Sequence, residues 1–249
     1  MVKRIAYRVV QLGVVAGLLI AGAPARADEL TAGQNALMRG DESGAIQLWT
    51  EPATRGNSEA QFRLGMMYLR GRGVAEDAKM AGVWLKMAVE KHHIGASLAL
   101  AHIYLNKAGS SYDPDTAIHL LRDVADQGNT EAQRVLGQAY RKGGGVPQDF
   151  EEALHWFRLA AAKGDGEAQL GLGELYRYGY GVEQSYPHAF MWFSLAASAV
   201  TDNVPERIVA ARAAIKARDA LEQMMPKDDL LTAERLADAC WKSKLQACD

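Results

Sequence analysis

The side chains that could carry out chemistry in this 249-residue chain are few and dispersed. The six histidines are His92, His93, His102, His119, His155 and His188. A metal site needs several such ligands to converge with carboxylates or thiolates. His119 and His155 instead occupy one repeated position beside an apolar stripe, which favours a solvated helix face. We therefore expect no metal site.

The motifs of common catalytic and nucleotide sites are also missing from the sequence. It contains no Gly-x-Ser-x-Gly elbow, no His-Glu-x-x-His pair and no phosphate-binding loop with its lysine and hydroxyl. The glycine run 143–145 lacks the preceding strand that a nucleotide loop requires. We expect neither a catalytic centre nor a bound cofactor, so the chain is not interpreted as an enzyme.

The only cysteines are Cys240 and Cys248. In an exported protein such a pair is expected to form a disulfide. An uninterrupted helix would separate the two residues by about 12 Å along its axis, too far for a disulfide. We therefore expect the helix to end near Ser243 or Lys244 and the tail to fold back. Two unpaired thiols remain the alternative.

The N-terminus has the pattern of a secretory signal peptide. Lys3, Arg4 and Arg8 precede an apolar stretch over 9–22, and Ala25-x-Ala27 suits a signal peptidase. We predict a signal peptide over 1–27, cleavage after Ala27, and a periplasmic or secreted product. The alternative is a membrane anchor, but about fourteen apolar positions fall short of the roughly 20 that span a bilayer. Stable membrane insertion after cleavage is not expected.

The predicted mature chain is acidic. Residues 1–27 contain four basic side chains and no acidic ones, so their removal changes the formal charge from −2 to −6. Nucleic-acid binding depends on cationic side chains that neutralise phosphates. This charge, without a basic stripe, excludes nucleic acid as the expected partner.

Residues of one type recur every 36 positions in four copies. In the first half of the repeat the columns are Ala60, Ala96, Ala132 and Ala168; Leu64, Leu100, Leu136 and Leu172; and Tyr68, Tyr104, Tyr140 and Tyr176. In the second half they are Gly73, Gly109, Gly145 and Gly181; Ala81, Ala117, Ala153 and Ala189; and Trp84, Leu120, Trp156 and Trp192. Spacings of three and four within a copy are those of helical stripes. Each copy is therefore predicted to be two helices, A and B, with the tryptophans and tyrosines in the core.

The segment between the two stripes has the composition of a turn. In 71–77 the glycines allow positive φ, and Asp77 is placed to cap helix B. Helix B then ends at a glycine such as Gly128 or Gly164, where a left-handed cap is expected. The predicted fold class is an all-α solenoid of antiparallel helix pairs.

These columns and turns resemble the Sel1-like repeat, a relative of the tetratricopeptide repeat. The resemblance covers 57–199 as four units, which are 57–92, 93–128, 129–164 and 165–199. A half-repeat over 28–56 precedes them in the same register. The resemblance implies a right-handed superhelix and an adaptor role in protein complexes, here of an exported bacterial type.

The pattern departs from the family in two places and ends before the C-terminus. His92 replaces the terminal glycine of the first unit, and the turn over 107–114 is irregular. That turn is interpreted as repeat decay or as a contact loop. Residues 200–249 are predicted to form a helical cap, with a helix start at Asp202 to Pro205 and helices over about 205–225 and 229–243.

Helix A builds most of the concave wall in tetratricopeptide-like superhelices, so the resemblance implies a candidate protein-binding groove. Its rows are Phe62, Leu98, Arg134 and Leu170; Met66, His102, Gln138 and Glu174; and Arg70, Asn106, Lys142 and Tyr178, with Arg141 and Arg177 beside them. The N-terminal half is apolar and the C-terminal half basic, which suits an extended or helical peptide with acidic flanks. The alternative is that Phe62, Leu98 and Leu170 pack between neighbouring helices.

The function predicted from the sequence is an exported scaffold for a protein partner in the cell envelope, in assembly, signalling or host contact. The alternative is a binder of cell-wall glycan or exopolysaccharide. A β-lactam-acting hydrolase ranks below both. Cysteine-rich relatives are linked to β-lactams, but both cysteines here lie outside the repeats. The sequence leaves the partner and the oligomeric state open.

Overall fold

The computed structural model describes residues 26–106, 111–199, 205–246 and 248, and helices are the only regular elements in these residues. The repeated helix pairs confirm the predicted all-α repeat fold. Three predictions concern residues outside the described ranges. They are most of the signal peptide (1–25), residues 107–110 of the irregular turn, and the helix start at Asp202.

The described residues contain twelve helices, labelled in chain order. They are α1 (Arg26–Met38), α2 (Glu42–Thr54), α3 (Ser58–Arg70), α4 (Ala78–Val89), α5 (Ile94–Leu105), α6 (Pro114–Asp126), α7 (Thr130–Lys142), α8 (Phe150–Ala161), α9 (Gly166–Tyr178), α10 (Tyr186–Ser198), α11 (Pro205–Glu222) and α12 (Lys227–Lys242). In the four repeats, α3, α5, α7 and α9 are helix A, and α4, α6, α8 and α10 are helix B. None of these helices has the length and apolar character needed to cross a membrane.

Local capping explains where the repeat helices begin and end. The side chains of Asn57, Asn129 and Asp165 accept hydrogen bonds from backbone N–H groups in the first turn of α3, α7 and α9. The same helices end at left-handed glycines with φ of 61°, 67° and 71°. Only glycine adopts this conformation without a steric penalty, so the turn before helix B is fixed by sequence.

A small residue in helix A lets the two helices of a repeat pack closely. An added Cβ at Gly65 would lie 2.7 Å from the side chain of Leu85. At Gly137 and Gly173 the corresponding distances, to Phe157 and Phe193, are 2.5 and 2.4 Å. The predicted core tryptophans are buried beside these contacts, at Trp84, Trp156 and Trp192.

The structure divides into two compact units between Ile103 and Tyr104. In the first unit, α1 packs on α2, α2 on α3, and α3 on α4. The predicted half-repeat over 28–56 is thus a full helix pair. Gly33 takes the small-residue position, because an added Cβ there would lie 2.2 Å from Trp49 Nε1. The turn before α2 has three residues instead of the seven before α4, which moves α1 out of the 36-residue register.

In the second unit, two further helices follow the fourth repeat. Both α11 and α12 pack on α10, and α11 also packs on α9. Helix α12 ends at Lys242, and the chain turns back at Lys244 and Leu245, which have positive φ. This turn brings Cys240 and Cys248 to disulfide distance, with Cα atoms 4.6 Å apart. The tail thus folds back within one or two residues of the predicted helix end.

Candidate protein-binding surface

In the first unit, the predicted groove residues differ in exposure. Phe62, Met66 and Leu98 are half-buried, whereas Arg70 and His102 are exposed. The ring of Phe62 stacks on His93 with centroids 4.7 Å apart. Phe62 also lies close to Gly95 at the start of α5. This geometry favours packing between neighbouring helices, which the sequence offered as the alternative for Phe62.

A charged network surrounds the Phe62–His93 stack. Glu59 contacts His93 Nε2 at 3.0 Å and Arg63 Nε at 2.6 Å. The guanidinium of Arg63 also bonds to Gln34 and lies 5.2 Å from the centre of the Trp49 ring. Burial raises the pKa of Glu59, but the hydrogen bonds with His93 and Arg63 outweigh it, so this pKa lies below its ordinary value.

In the second unit, two of the four predicted basic residues, Arg134 and Arg141, are paired with carboxylates. Arg134 donates to Glu167 at 2.8 Å and lies 3.4 Å from Asp165, and Arg141 pairs with Glu174. Gln138 also donates to Glu167, at 3.0 Å. These contacts link α7 to α9 and its N-cap, so Arg134 and Arg141 form ion pairs between repeats. The repeat rows did not reveal these pairs because Glu167 and Glu174 each lie 33 residues from the arginine that they contact.

The remaining predicted residues of the second unit lie near the ends of the A helices. Asn106 and Lys142 are exposed, and Leu170 is half-buried. The guanidinium of Arg177 lies 5.4 Å from the centre of the Tyr178 ring. Lys142 and Tyr178 are thus accessible members of the predicted rows, as are Arg70, His102 and Asn106.

Asp165, which caps α9, is a carboxyl group with a raised pKa. Burial is the main cause, and it outweighs the opposing hydrogen bond from the Ala168 N–H and the charge of Arg134. Asp165 and Arg134 line a cavity of about 870 Å³ together with Glu167, Trp241 and others. Trp241 lies in the last turn of α12 and is 57% exposed.

Tyr178 belongs to an aromatic cluster, defined here as Phe150, Tyr178 and Tyr180. The Phe150 and Tyr180 rings stack at 4.7 Å between centroids, and those of Tyr178 and Tyr180 at 5.5 Å. Tyr178 and Tyr180 are 54% and 46% exposed. Only Tyr178 was among the predicted groove residues, because the predicted rows were confined to helix A. The sequence signal for the other two was that Tyr180 and Phe150 stand where the first repeat has the non-aromatic residues Arg72 and Ala78.

A metal site would need a cluster of ligating side chains. In the part of the chain that the structure describes, no group of three or more His, Cys, Asp or Glu residues is placed to hold a metal ion. His119 and His155, which share a repeat position, are both exposed on helix B. The features that could support recognition are therefore the helix A surfaces, the aromatic cluster and the cavity beside Trp241.

Capped helix pairs with a 36-residue period define a helical-repeat scaffold protein. The family model described as the Sel1 repeat matches residues 58–93, 95–129, 130–165 and 166–199. The chain belongs to the Sel1 repeat family. Proteins of this family are protein-interaction scaffolds.

The solved structures that are similar to this chain include the following two. A protective antigen from uropathogenic Escherichia coli strains, displaying an SLR fold, is 27% identical over 99% of this chain and 50% of its own, with a TM-score of 0.74. A Sel1 repeat protein from Oxalobacter formigenes is 23% identical over 76% of this chain and 85% of its own, with a TM-score of 0.61. The chain thus spans half the length of the E. coli antigen. No curated protein matches it significantly.

Proposed function

We propose that this chain is an exported scaffold that binds a protein partner through the helix A surfaces of its repeats. The family supports the scaffold role. The main observation is that accessible polar and aromatic side chains, Lys142 and Tyr178, stand at positions that the repeat does not dictate. Repeated positions such as Ala132 and Leu136 are instead completely buried. Partner choice would then depend on residues that are not needed for folding.

The binding proposal can be tested with the purified mature chain as bait for an envelope extract. Wild type is compared with a Lys142→Ala, Tyr178→Ala double variant. A matched control carries His119→Ala and His155→Ala, two exposed changes on helix B. A partner that is lost only from the helix A variant supports the proposal. Capture that survives in the helix A variant, or that fails only in the control, contradicts this surface.

Export is tested separately by fractionating cells that express the full chain and sequencing the N-terminus of the product. We expect a product in the periplasm or medium that begins at Asp28, since cleavage is predicted after Ala27. A full-length product confined to the cytosol would contradict export without affecting the binding proposal.

A glycan-binding function is the second candidate, and one observation favours it. The exposed Trp241 lines the same cavity as the carboxyl groups of Asp165 and Glu167. An accessible aromatic ring can stack on a sugar, and neighbouring carboxylates can accept hydrogen bonds from the sugar hydroxyls. Cosedimentation with purified cell wall that is abolished by Trp241→Ala would favour this candidate over the protein scaffold.

A further inference from the structure

We propose that the aromatic cluster of the second unit binds a proline-rich segment in the polyproline II conformation. This inference rests on the proposed function, because it specifies which kind of protein segment the scaffold would recognise. It is carried by the exposure of Tyr178 and Tyr180, by the stacking of the three rings, by the depression beside them, and by the two tyrosine hydroxyls.

The cluster is ordered before any partner binds. The Phe150 and Tyr180 rings are within 11° of parallel, and those of Tyr178 and Tyr180 within 28°. The backbone beneath is also fixed, because Gly179 ends α9 in the left-handed conformation and Gln184 Nε2 donates to the Arg177 carbonyl at 2.8 Å. Ordered tyrosines lose little conformational entropy on binding, and for this reason they are effective recognition residues.

A depression of about 350 Å³ lies beside the rings. Its lining is Arg141, Gln148, Phe150, Glu174, Leu175, Tyr178 and Tyr180. This volume is at the lower end of ligand pockets, which run from about 300 to 1,000 Å³. It suits one or two small apolar side chains of an extended segment rather than a whole helix.

The hydroxyls of Tyr178 and Tyr180 stand on exposed side chains beside the depression. A tyrosine hydroxyl can donate a hydrogen bond. The other polar side chains of the lining already make internal contacts, because Glu174 is paired with Arg141 and Gln148 Nε2 donates to the Arg141 carbonyl at 2.8 Å. A matching ligand would therefore supply acceptors to the two tyrosine hydroxyls.

A proline-rich segment meets these requirements. Proline has no backbone N–H, and the carbonyls of a polyproline II helix make no internal hydrogen bonds. The segment thus presents acceptors without competing donors, while its rings pack on aromatic side chains. Its conformation is largely formed before binding, which reduces the entropic cost.

The cluster is less suited to a sugar, whose hydroxyls need hydrogen-bond acceptors such as an unpaired carboxylate. Glu174, the carboxylate in the depression, is paired with Arg141. A glycan therefore remains an outcome of the test rather than the proposed ligand.

The test is a titration of the mature chain into a fluorescein-labelled decaproline peptide, read by fluorescence anisotropy. A Gly-Ser peptide of equal length is the ligand control. We expect saturable decaproline binding that Tyr180→Ala or Tyr178→Ala weakens by about tenfold or more, as for a hot-spot residue. Tyr112→Ala is the matched control, because Tyr112 is also an exposed tyrosine of the second unit, and it should leave binding unchanged.

Tyr178→Phe combined with Tyr180→Phe tests the hydrogen-bond argument, since phenylalanine keeps the ring but lacks the hydroxyl. We expect it to weaken decaproline binding while thermal unfolding shows that the chain remains folded. Lack of saturable binding, or equal affinity in folded Tyr180→Ala, would overturn the inference. Binding of a chitin oligosaccharide that requires Tyr180, in place of decaproline, would also overturn it.

These results are distinguishable from failure of the proposed function. If decaproline does not bind but the envelope partner is still lost from the helix A variant, the scaffold proposal stands and the proline-rich ligand is wrong. If decaproline binds as expected, the envelope partner should contain a proline-rich segment that competes with the labelled peptide.

Discussion

The helix A surfaces of the two units are built on the same repeat but differ in chemistry. In the first unit, Phe62 stacks on His93 and is half-buried. In the second unit, the aligned residue is Arg134, which pairs with carboxylates of the next repeat, and Tyr178 is exposed beyond it. The difference shows that repeated positions maintain the fold, while aligned but unrepeated positions determine which surface is available to a partner.

The largest predicted effect tests whether the two units share one type of core. Trp84 in the first unit and Trp156 in the second are both buried. Replacing either with alanine should lower the free energy of unfolding by about 3–5 kcal/mol through the cavity that it leaves. Urea denaturation of each single variant measures this. A loss below about 1 kcal/mol in one unit alone would show that the cores are not equivalent.

Tryptophan-to-phenylalanine substitutions at the same two positions test the comparison of the two cores more finely. Trp156 Nε1 donates to Glu152 at 2.9 Å, whereas Trp84 Nε1 is buried with no partner among the described residues. Trp156→Phe therefore removes a hydrogen bond, whereas Trp84→Phe removes none. Trp156→Phe should cost about 1 kcal/mol more than Trp84→Phe.

A smaller effect is expected at His92, where the first unit departs from the repeat. His92 has a φ of 57°, a left-handed conformation that glycine adopts at the equivalent positions Gly56, Gly128 and Gly164. His92→Gly should relieve about 1–2 kcal/mol of steric cost but lose part of it to the greater entropy of unfolded glycine. We expect a net stabilisation of about 0.5–1 kcal/mol in urea denaturation.

Gly56→Ala is the matched control in the same unit. Its φ is 93° and no atom lies within 4 Å of an added Cβ, so the substitution changes only backbone strain. It should destabilise the chain by about 1 kcal/mol. If His92→Gly destabilises the chain as well, the imidazole of His92 makes a contribution that outweighs its strained backbone.

Prediction from sequence succeeded where side chains recur in register. The small and aromatic columns predicted the helix pairs because each column corresponds to a packing contact such as Gly137 on Phe157. Helix α1 was missed because the turn before α2 is four residues shorter than the repeat turn. The irregular spacing removed the periodic signal, although Gly33 and Trp49 still make the equivalent contact.

The candidate surface was less predictable because it depends on contacts between repeats. Arg134 and Arg141 were predicted groove residues and lie on α7, but the carboxylates that pair with them from α9 were not predicted as their partners. Phe150 and Tyr180 were missed because one begins helix B and the other lies in a turn. Their proximity to Tyr178 follows only from the folded geometry.

The smallest effects concern two carboxyl groups, one in each unit, whose pKa values shift in opposite directions. Burial raises the pKa of Glu59, but hydrogen bonds with His93 and Arg63 outweigh it and hold the pKa below its ordinary 4.5. The stabilisation from Glu59 is therefore present above its unfolded pKa and is lost as pH falls through the folded pKa.

Burial raises the pKa of Asp165 above its ordinary 3.8. Its contribution is present below the unfolded pKa and is lost as pH rises through the folded pKa.

Neutral isosteric variants of the two residues test this contrast, with melting temperatures measured between pH 3 and pH 7. Relative to wild type, Glu59→Gln should become less stable as pH rises, because only wild type gains from ionised Glu59. Asp165→Asn should become relatively more stable as pH rises, because it avoids burying a charge, and asparagine caps α9 as well as aspartate does. Relative melting temperatures that change with pH in the same direction would mean that ion pairing with Arg134, not burial, governs Asp165. Folding would then stabilise the ionised form of both Glu59 and Asp165.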